Sequence, residues 1–437
     1  MTAADEVVTS SPPATNVARA GRSPSSFAVP GYPLLWTTGW LWHVARWMAV
    51  FATTYRVNEQ TGDELLVGLV GTAFMAPMFL GGIIAGAVTD RLDRHRTVAR
   101  SLGLLIPLSA LMGLAVLADR APVGLSMVFV FCIGIGNVID MTSRRSIAFG
   151  LVGAGLLTNV AAYETFALHA GNMTGSLIGG AVIGALGAGS VYLGIAAVYL
   201  VALATFTLAA RTTRTATLAV AMAEPATTET PKAAAGEPGT SAANDLRAGL
   251  GLLRSNVTLR QFLMTTVVMN FFYYAFMPLV PAFAEDLGVG PFLTGLLAAA
   301  VGMGAMIGAF VIARLQPARR GLLHVGGSLG AMAMLIVFAN MTWYPAAFAA
   351  LFVAGLSGSG FGTTQSALVV SLVDESLRGR ALGVLSMAIG ALPFGMFSLG
   401  LLAKQTDPQL ALTVSVAIGI VVLIAFHAGR PHLRSLA

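Results

Sequence analysis

Two ionisable side chains lie well inside long apolar runs of this 437-residue chain, and both are of kinds that act chemically when desolvated. Arg46 sits near the middle of the run 34–56, and Glu164 sits in the run 158–186. A guanidinium keeps its proton, so in hydrocarbon it costs about 2.5–3.5 kcal/mol on insertion scales, and a wet cavity is its cheapest place. Trp36, Trp40, His43 and Trp47 follow helical spacing beside Arg46. Two readings are open. One is a cavity wall, with aromatic faces for an organic molecule and a cation for its anionic group. The other is an arginine buried against an internal acid, with the tryptophans as packing and interfacial belt.

Glu164 is a carboxyl that can carry a proton, or else a surface carboxylate that snorkels from the first turns of its helix. It shares a helical face with Gly171 and Gly175, which predicts close approach to another helix. His169 and Asn172, three residues apart, form a neighbouring polar patch, and an imidazole titrates near neutral pH. The second half of the chain offers softer groups: Asn270 and Tyr274 in MNFFYYAFMPLVP, beside the helix-bending Pro278 and Pro281, and Gln365 in GLSGSGFGTTQSA. No acid or base is expected inside that half, so recognition of charge falls to the first half.

A third set of residues belongs to the ends of the apolar runs. The stretch Gly86-Ala-Val-Thr-Asp90-Arg91-Leu-Asp93-Arg94-His95-Arg96 puts a carboxylate at a helix end, followed by a basic turn. It can cap helices and brace a neighbour in one conformation, or simply anchor the loop by its charge. Asp140 and Arg144 are four apart with the acid first, a favourable helical pair.

The elements that must position these groups follow from composition. Hydrophobic residues make up 56% of the chain and charged residues 10%, against about a quarter charged in soluble proteins. Mean hydropathy is +0.80. This is a polytopic membrane protein, and its long runs without period-two alternation make it all-α. Twelve spans are expected, at roughly 34–56, 65–88, 97–118, 122–141, 158–186, 189–210, 256–284, 291–315, 320–341, 346–372, 380–404 and 409–428, each near the ~20 residues a bilayer requires. With the N-terminus in the cytoplasm, all but four of the 25 basic residues fall on the cytoplasmic side. That bias fixes the orientation and an even number of spans, with both termini inside. Residues 1–33 read as a flexible cytoplasmic tail without the apolar core of a signal peptide. Residues 211–255, rich in Ala, Thr, Pro and Glu, read as a cytoplasmic linker between two six-helix bundles, 34–210 and 256–428, with a last tail at 429–437. Two such halves place a binding site between them near the membrane midplane.

Enzymatic chemistry finds no support in the sequence. The lone Cys132 excludes an internal disulfide, and six scattered histidines show no ligand spacing. No phosphate loop or nucleophile constellation is present, so no cofactor or metal is expected. The basic residues form short clusters between apolar runs rather than a nucleic-acid stripe. The expected partners are a small molecule and the lipid bilayer.

The GxxxDRxxRxR pattern at 86–96 resembles the loop between spans two and three of the major facilitator superfamily. The chain is similar to one branch in particular, the proton-driven exporters that include macrolide efflux proteins and the enterobactin exporter. WMAVFATTYRVNEQTGDELLVGLV, IDMTSRRSIAF, LLTNVAAYETFALHAGNMTGSLIGG, GLLAAAVGMGAMIGAFVIARL and LRGRALGVLSMAIGALPFG carry that resemblance over nearly the whole chain outside the first 30 residues and the linker. It implies a monomeric bacterial inner-membrane exporter of an amphiphilic organic molecule, working by proton antiport and alternating access. In that scheme Arg46, His43, Trp47, Asn172, Asn270, Tyr274 and Gln365 line the cavity. Glu164 and His169 couple the proton, and Gly86, Asp90, Arg91, Arg94, Asp140 and Arg144 act in gating. The chain departs from the pattern where Ser176 and Thr142 replace prolines, and where ARLQPARRG, the second-half counterpart of the Asp90 loop, lacks an acid. An importer or uniporter on the same fold therefore stands as the alternative. A non-transporting receptor is disfavoured by the cost of the buried charges.

Overall fold

The computed structural model describes residues 25–89, 93–152, 156–223, 251, 256–315, 317, 319–373 and 377–428. Among these the helices form twelve rods. In the first half they are α1 (Tyr32–Thr61), α2 (Glu64–Thr89), α3 (Arg94–Leu117), α4 (Val123–Val152), α5 (Leu157–Leu186) and α6 (Ala188–Ala223). In the second half they are α7 (Val257–Asp286), α8 (Pro291–Leu315), α9 (Arg320–Ala339) and α10 (Tyr344–Ser371). The last two are α11, in two pieces at Arg378–Ile389 and Leu392–Gln405, and α12 (Pro408–His427). Each expected span is met by one rod. Nine of the rods, among the described residues, are long and apolar enough to cross a membrane by length and composition. Helices α1 and α5 fall below that standard because they carry the polar groups, from His43 and Arg46 to His169, Asn172 and Ser176.

Local chemistry sets the ends and the breaks. Asp93 starts α3 by accepting hydrogen bonds from the backbone N–H groups of His95 (2.9 Å) and Arg96 (3.2 Å). Asn256 and Asp407 do the same for α7 and α12. Helix α4 widens into a π-turn at Asp140–Arg144. Helix α7 passes through a π-turn at Met269–Tyr273 and a tight 3-10 stretch at Tyr274–Leu279, where Pro278 removes a donor.

Two segments differ from the expectation. Residues 211–223, assigned above to the linker, continue α6 as helix. Thr and Ala are tolerated there because the hydroxyls of Thr212 and Thr215 bond back to carbonyls four residues earlier. Residues 25–33, assigned to a flexible tail, are folded: Ser26–Ala28 forms a short 3-10 turn, and Ser26 and Tyr32 are fully buried.

The first six rods pack together through α1 against α5 and α6, α3 against α6, and α2 against α4. The last six pack through α10 against α8 and α9, and α9 against α12. Two seams join these groups, α5 against α8 and α2 against α11. Both are made by small residues that let backbones touch, the usual solution where lipid supplies no hydrophobic drive. At Gly180 and Gly295 each backbone occupies the space a side chain on the other would need. Gly68 and Gly400 stand in the same relation.

The seams are tightest near the ends of α1, α7 and α11 that carry Thr61, Glu285 and Lys404. There Lys404 pairs with Asp63 at 2.5 Å, and Asn58 donates to Glu285 at 2.7 Å. Lower down, the Thr72 hydroxyl bonds the Pro393 carbonyl and Phe79 meets Phe394 edge-on. At the opposite face Arg94, Arg96, Arg314, Arg319 and Arg320 are exposed. The molecule is latched at the Asp63–Lys404 face.

Candidate functional site

The most concentrated buried charge among the described residues lies between α4 and α5. The Arg144 guanidinium holds two carboxylates at once. Its Nε donates to Asp140 Oδ1 at 2.5 Å and its Nη2 to Oδ2 at 3.1 Å. On the other edge Nη1 and Nη2 donate to the Glu164 carboxylate at 2.9 and 2.7 Å. The three side chains are 0% (Arg144), 8% (Asp140) and 2% (Glu164) exposed. Arg145, 34% exposed, stands 3.9 Å from Glu164 and brings the cluster to neutrality. Fork-to-fork pairing of this kind has strong geometric preference, and burial removes the water that would compete. The guanidinium fits because residue 39 is glycine. A Cβ there would lie 2.5 Å from the Arg144 Cζ.

The sequence pattern foresaw the Asp140–Arg144 pair and the close face of α5, but not that Glu164 completes them. Gly171 and Gly175 do pack closely, against His43 and against Val44 and Trp47 of α1. That contact corrects the reading of the tryptophan stripe. Trp36 donates to the Tyr163 carbonyl at 2.9 Å and stacks near Phe166, so the stripe is largely the α1–α5 interface. His43 is 6% exposed within it.

Arg46 is midway along α1 and 5% exposed. Among the described residues no acid hydrogen-bonds to it, although Asp140 lies within electrostatic reach. Its Nη1 donates to Asn137 Oδ1 of α4 at 2.7 Å, its guanidinium lies 5.0 Å from the Trp47 ring and 5.9 Å from the Phe74 ring, and its Nε has no protein partner. Sequence reasoning missed Asn137, although it stands three residues before Asp140 and so on the same side of α4. Aromatic rings and an amide stabilise a buried cation only partly.

The remaining candidates form two groups. Asn172 and His169 lie at the α5–α8 seam, where Gly302 faces the Asn172 amide and the His169 carbonyl. The Asn172 Oδ1 is buried without a partner. In the second half, Asn270 and Gln365 converge on Thr266. Asn270 donates to its carbonyl at 2.9 Å and Gln365 to its hydroxyl at 3.4 Å, tying α7 to α10. Tyr274 lies beside them, near Phe361.

One expectation for this half fails. His324 is fully buried, stacked on Phe262 at 4.2 Å, with Nδ1 2.9 Å from the Thr364 hydroxyl. Only four residues into α9, it looked like a surface group in the sequence. Asp90 and Arg91 lie outside the described residues, as does the surrounding of Gly86. Arg94 is exposed at the start of α3, and it is Asp93 that caps that helix and pairs with Arg96 at 3.5 Å. No cluster of side chains able to hold a metal ion occurs among the described residues.

Two seamed helix groups with polar groups at mid-depth on α1, α5 and α7 are the arrangement of a membrane carrier. The family model described as Major Facilitator Superfamily matches residues 35–398 and again 264–435, and the chain belongs to that superfamily. It is a multi-pass membrane transporter and not an enzyme. No curated protein matches the chain at the level of sequence. Among solved structures it is similar to a bacterial homologue of the human lysosomal transporter Spinster in an inward-facing, unoccupied conformation (15% identity, 95% of this chain and 98% of that one, TM-score 0.69). It is also similar to a D-xylose–proton symporter (13%, 92% and 98%, 0.69) and to a peptide transporter in complex with sulfate (12%, 95% and 97%, 0.70). At such identities the likeness is one of fold.

Proposed function

We propose that the chain is a proton-coupled exporter of an amphiphilic organic anion, such as a drug, antibiotic or siderophore-like metabolite, in the inner membrane of a bacterium. The observation that carries this reading is Arg46, a mid-helix cation bonded to an amide and lying by two aromatic rings, with Asp140 in electrostatic reach but already paired to Arg144. An anionic head group would neutralise it, and an apolar body would lie against Trp47 and Phe74. With the basic loops in the cytoplasm, the latched Asp63–Lys404 face is the outer one, and substrate loads from inside.

Coupling rests on Glu164. Paired to Arg144, it is held as a carboxylate in this state. A proton on Glu164 removes one of the two counter-charges of Arg144 and frees α5 from α4. The same helix carries Asn172, Ser176 and Gly180 to the α8 seam, so a change at Glu164 reaches the seam along one rigid element about 12–24 Å long. A proton can drive the cycle only if it binds one state better than the other, and the Arg144 pairing supplies that difference. Entry of one charge through 100 mV supplies about 2.3 kcal/mol.

Proteoliposomes with an imposed pH gradient and a panel of amphiphilic anions test the reading. Glu164→Gln is expected to abolish gradient-driven accumulation while leaving exchange, and Arg46→Ala to raise the KM for anionic but not neutral substrates. Flux that ignores the gradient would remove antiport. Importation on the same site is the second reading. It is favoured by Ser176, which leaves α5 unbroken where exporters of this branch carry a proline.

A further inference from the structure

The short turn before α1 packs against α5 beside Glu164. Tyr32, Leu35 and Gly39 recur at spacings of three and four and so share one face of α1. The Arg144 guanidinium presses on that face at Gly39. Leu35 and Tyr32, 2% and 0% exposed, extend it about two turns towards the basic face, and Tyr32 is within electrostatic reach of both Glu164 and Arg144. The segment Ser25–Val29 closes the end of this column. The Ser26 backbone N–H and hydroxyl both donate to Asn159 Oδ1 of α5, at 3.0 and 2.6 Å. The Phe27 ring sits among Tyr163 (4.6 Å), Trp36 (5.3 Å) and Tyr32 (5.5 Å), all edge-on. Tyr163 is the residue next to Glu164 on α5. Gly31, at φ +87°, turns the chain into α1, and a side chain there would strike Thr213 and the Ala209 carbonyl of α6. The turn is thereby held against the ends of α1, α5 and α6 together.

We propose that residues Ser25–Val29, clasped to Asn159 and plugged by Phe27, are the inner seal of the Asp140–Arg144–Glu164 site. The seal stops Glu164 from exchanging protons directly with the basic-face solvent, so that its carboxyl communicates only past Arg145 and through the conformational cycle. The groups facing Glu164 are Arg144, Arg145 and, across the shared guanidinium, Asp140 from α4, with Tyr32 of α1 nearby, and none of them substitutes for the seal on the axial side. A carrier without it would take up and lose protons at Glu164 without moving substrate. The role of Glu164 as coupling carboxyl is the reading given above, but the seal itself is a matter of access.

The test is labelling of Glu164 by a water-soluble, membrane-impermeant carbodiimide added at the basic face, read by peptide mass spectrometry on the full-length protein in vesicles. Glu164→Gln identifies the labelled peptide. Ser26→Ala with Asn159→Ala removes both clasp hydrogen bonds and is expected to speed labelling about tenfold, since labelling of a covered group follows the population of the opened form. Phe27→Ala gives the same direction with the clasp intact, and Phe27→Tyr keeps the parent rate. Faster deuterium uptake in residues 157–166 accompanies the labelling. Rates within about twofold of the parent in both the clasp and the Phe27→Ala variants, at unchanged monodispersity, would overturn the seal. Labelling requires no transport, so a seal that opens as stated together with gradient-independent flux would fault the coupling role alone.

Discussion

Removing charges from the Asp140–Arg144–Glu164 cluster one at a time has unequal costs, and the inequality follows from its geometry. Glu164→Gln leaves Arg144 paired with Asp140 through both Nε and Nη2, and the glutamine oxygen still accepts from Nη1. The loss is one charge-assisted hydrogen bond, about 1.5–3 kcal/mol less what the amide recovers, so about 1–2 kcal/mol. Asp140→Asn is equivalent from the other side, because Glu164 then neutralises the guanidinium. The double variant strands a guanidinium that is 0% exposed, and Arg144→Met strands two carboxylates. Each of these breaks a buried pair outright, at about 3–5 kcal/mol or more. The double variant should therefore exceed the sum of the two singles by about 1 kcal/mol, a coupling that a double-mutant cycle measures directly. Thermal unfolding in detergent, followed by tryptophan fluorescence, ranks the four variants. Additive singles, or an Arg144→Met no worse than Glu164→Gln, would show that water enters the cluster and that it is not the sealed switch described here.

Two further outcomes concern the latch and the glycine under Arg144. Lys404, donating to Asp63, holds that carboxyl below the usual carboxylate range, helped by the Leu66 and Leu65 backbone N–H groups. A depressed folded value means that the latch is complete above the unfolded value of about 3.9 and is lost as pH falls through the folded one. Outer pH between 8 and 5 should accordingly leave it shut. Asp63→Asn at pH 7 should shift the closed-to-open ratio of the latched face by about 1.4- to 5-fold, the worth of an exposed pair. Spin-label distances between positions 60 and 406 read this, and an equal opening of parent and variant as pH is taken below about 4 would contradict it. Gly39→Ala places a methyl 2.5 Å from the Arg144 Cζ, so the guanidinium must move. Overpacking of this sort costs about 1–3 kcal/mol. Gradient-driven flux should fall with it, whereas Gly103→Ala, which meets nothing within 4 Å, should leave both stability and flux near the parent.

The fold was legible because a bilayer imposes one period and one length on every span, so charge and hydropathy alone placed all twelve rods, although α4 and α6 run on to Val152 and Ala223, more than ten residues past the expected ends. The site was legible only where its partners are close in sequence. Asp140 and Arg144 are four apart, and the pair could be read from helix geometry. Glu164 lies twenty residues from Arg144 across a loop, and two glycines on its face announced a neighbour without saying which. Arg46 shows the opposite failure. Its depth demanded a partner, and a search for an acid overlooked Asn137, because an amide carries no charge to stand out in an apolar helix. His324 was hidden by its position near a helix end, where exposure is the default and only the rings of Phe262 and Phe361, 62 and 37 residues away, bury it. The clasp at Ser26 is of the same kind: a Ser/Pro/Ala stretch has the composition of a free tail, and its order comes from one asparagine 133 residues later. In a membrane carrier the apolar majority of the sequence therefore specifies the frame, while the few polar residues specify the state. Their meaning lies in pairings between helices that each switch of conformation is free to remake.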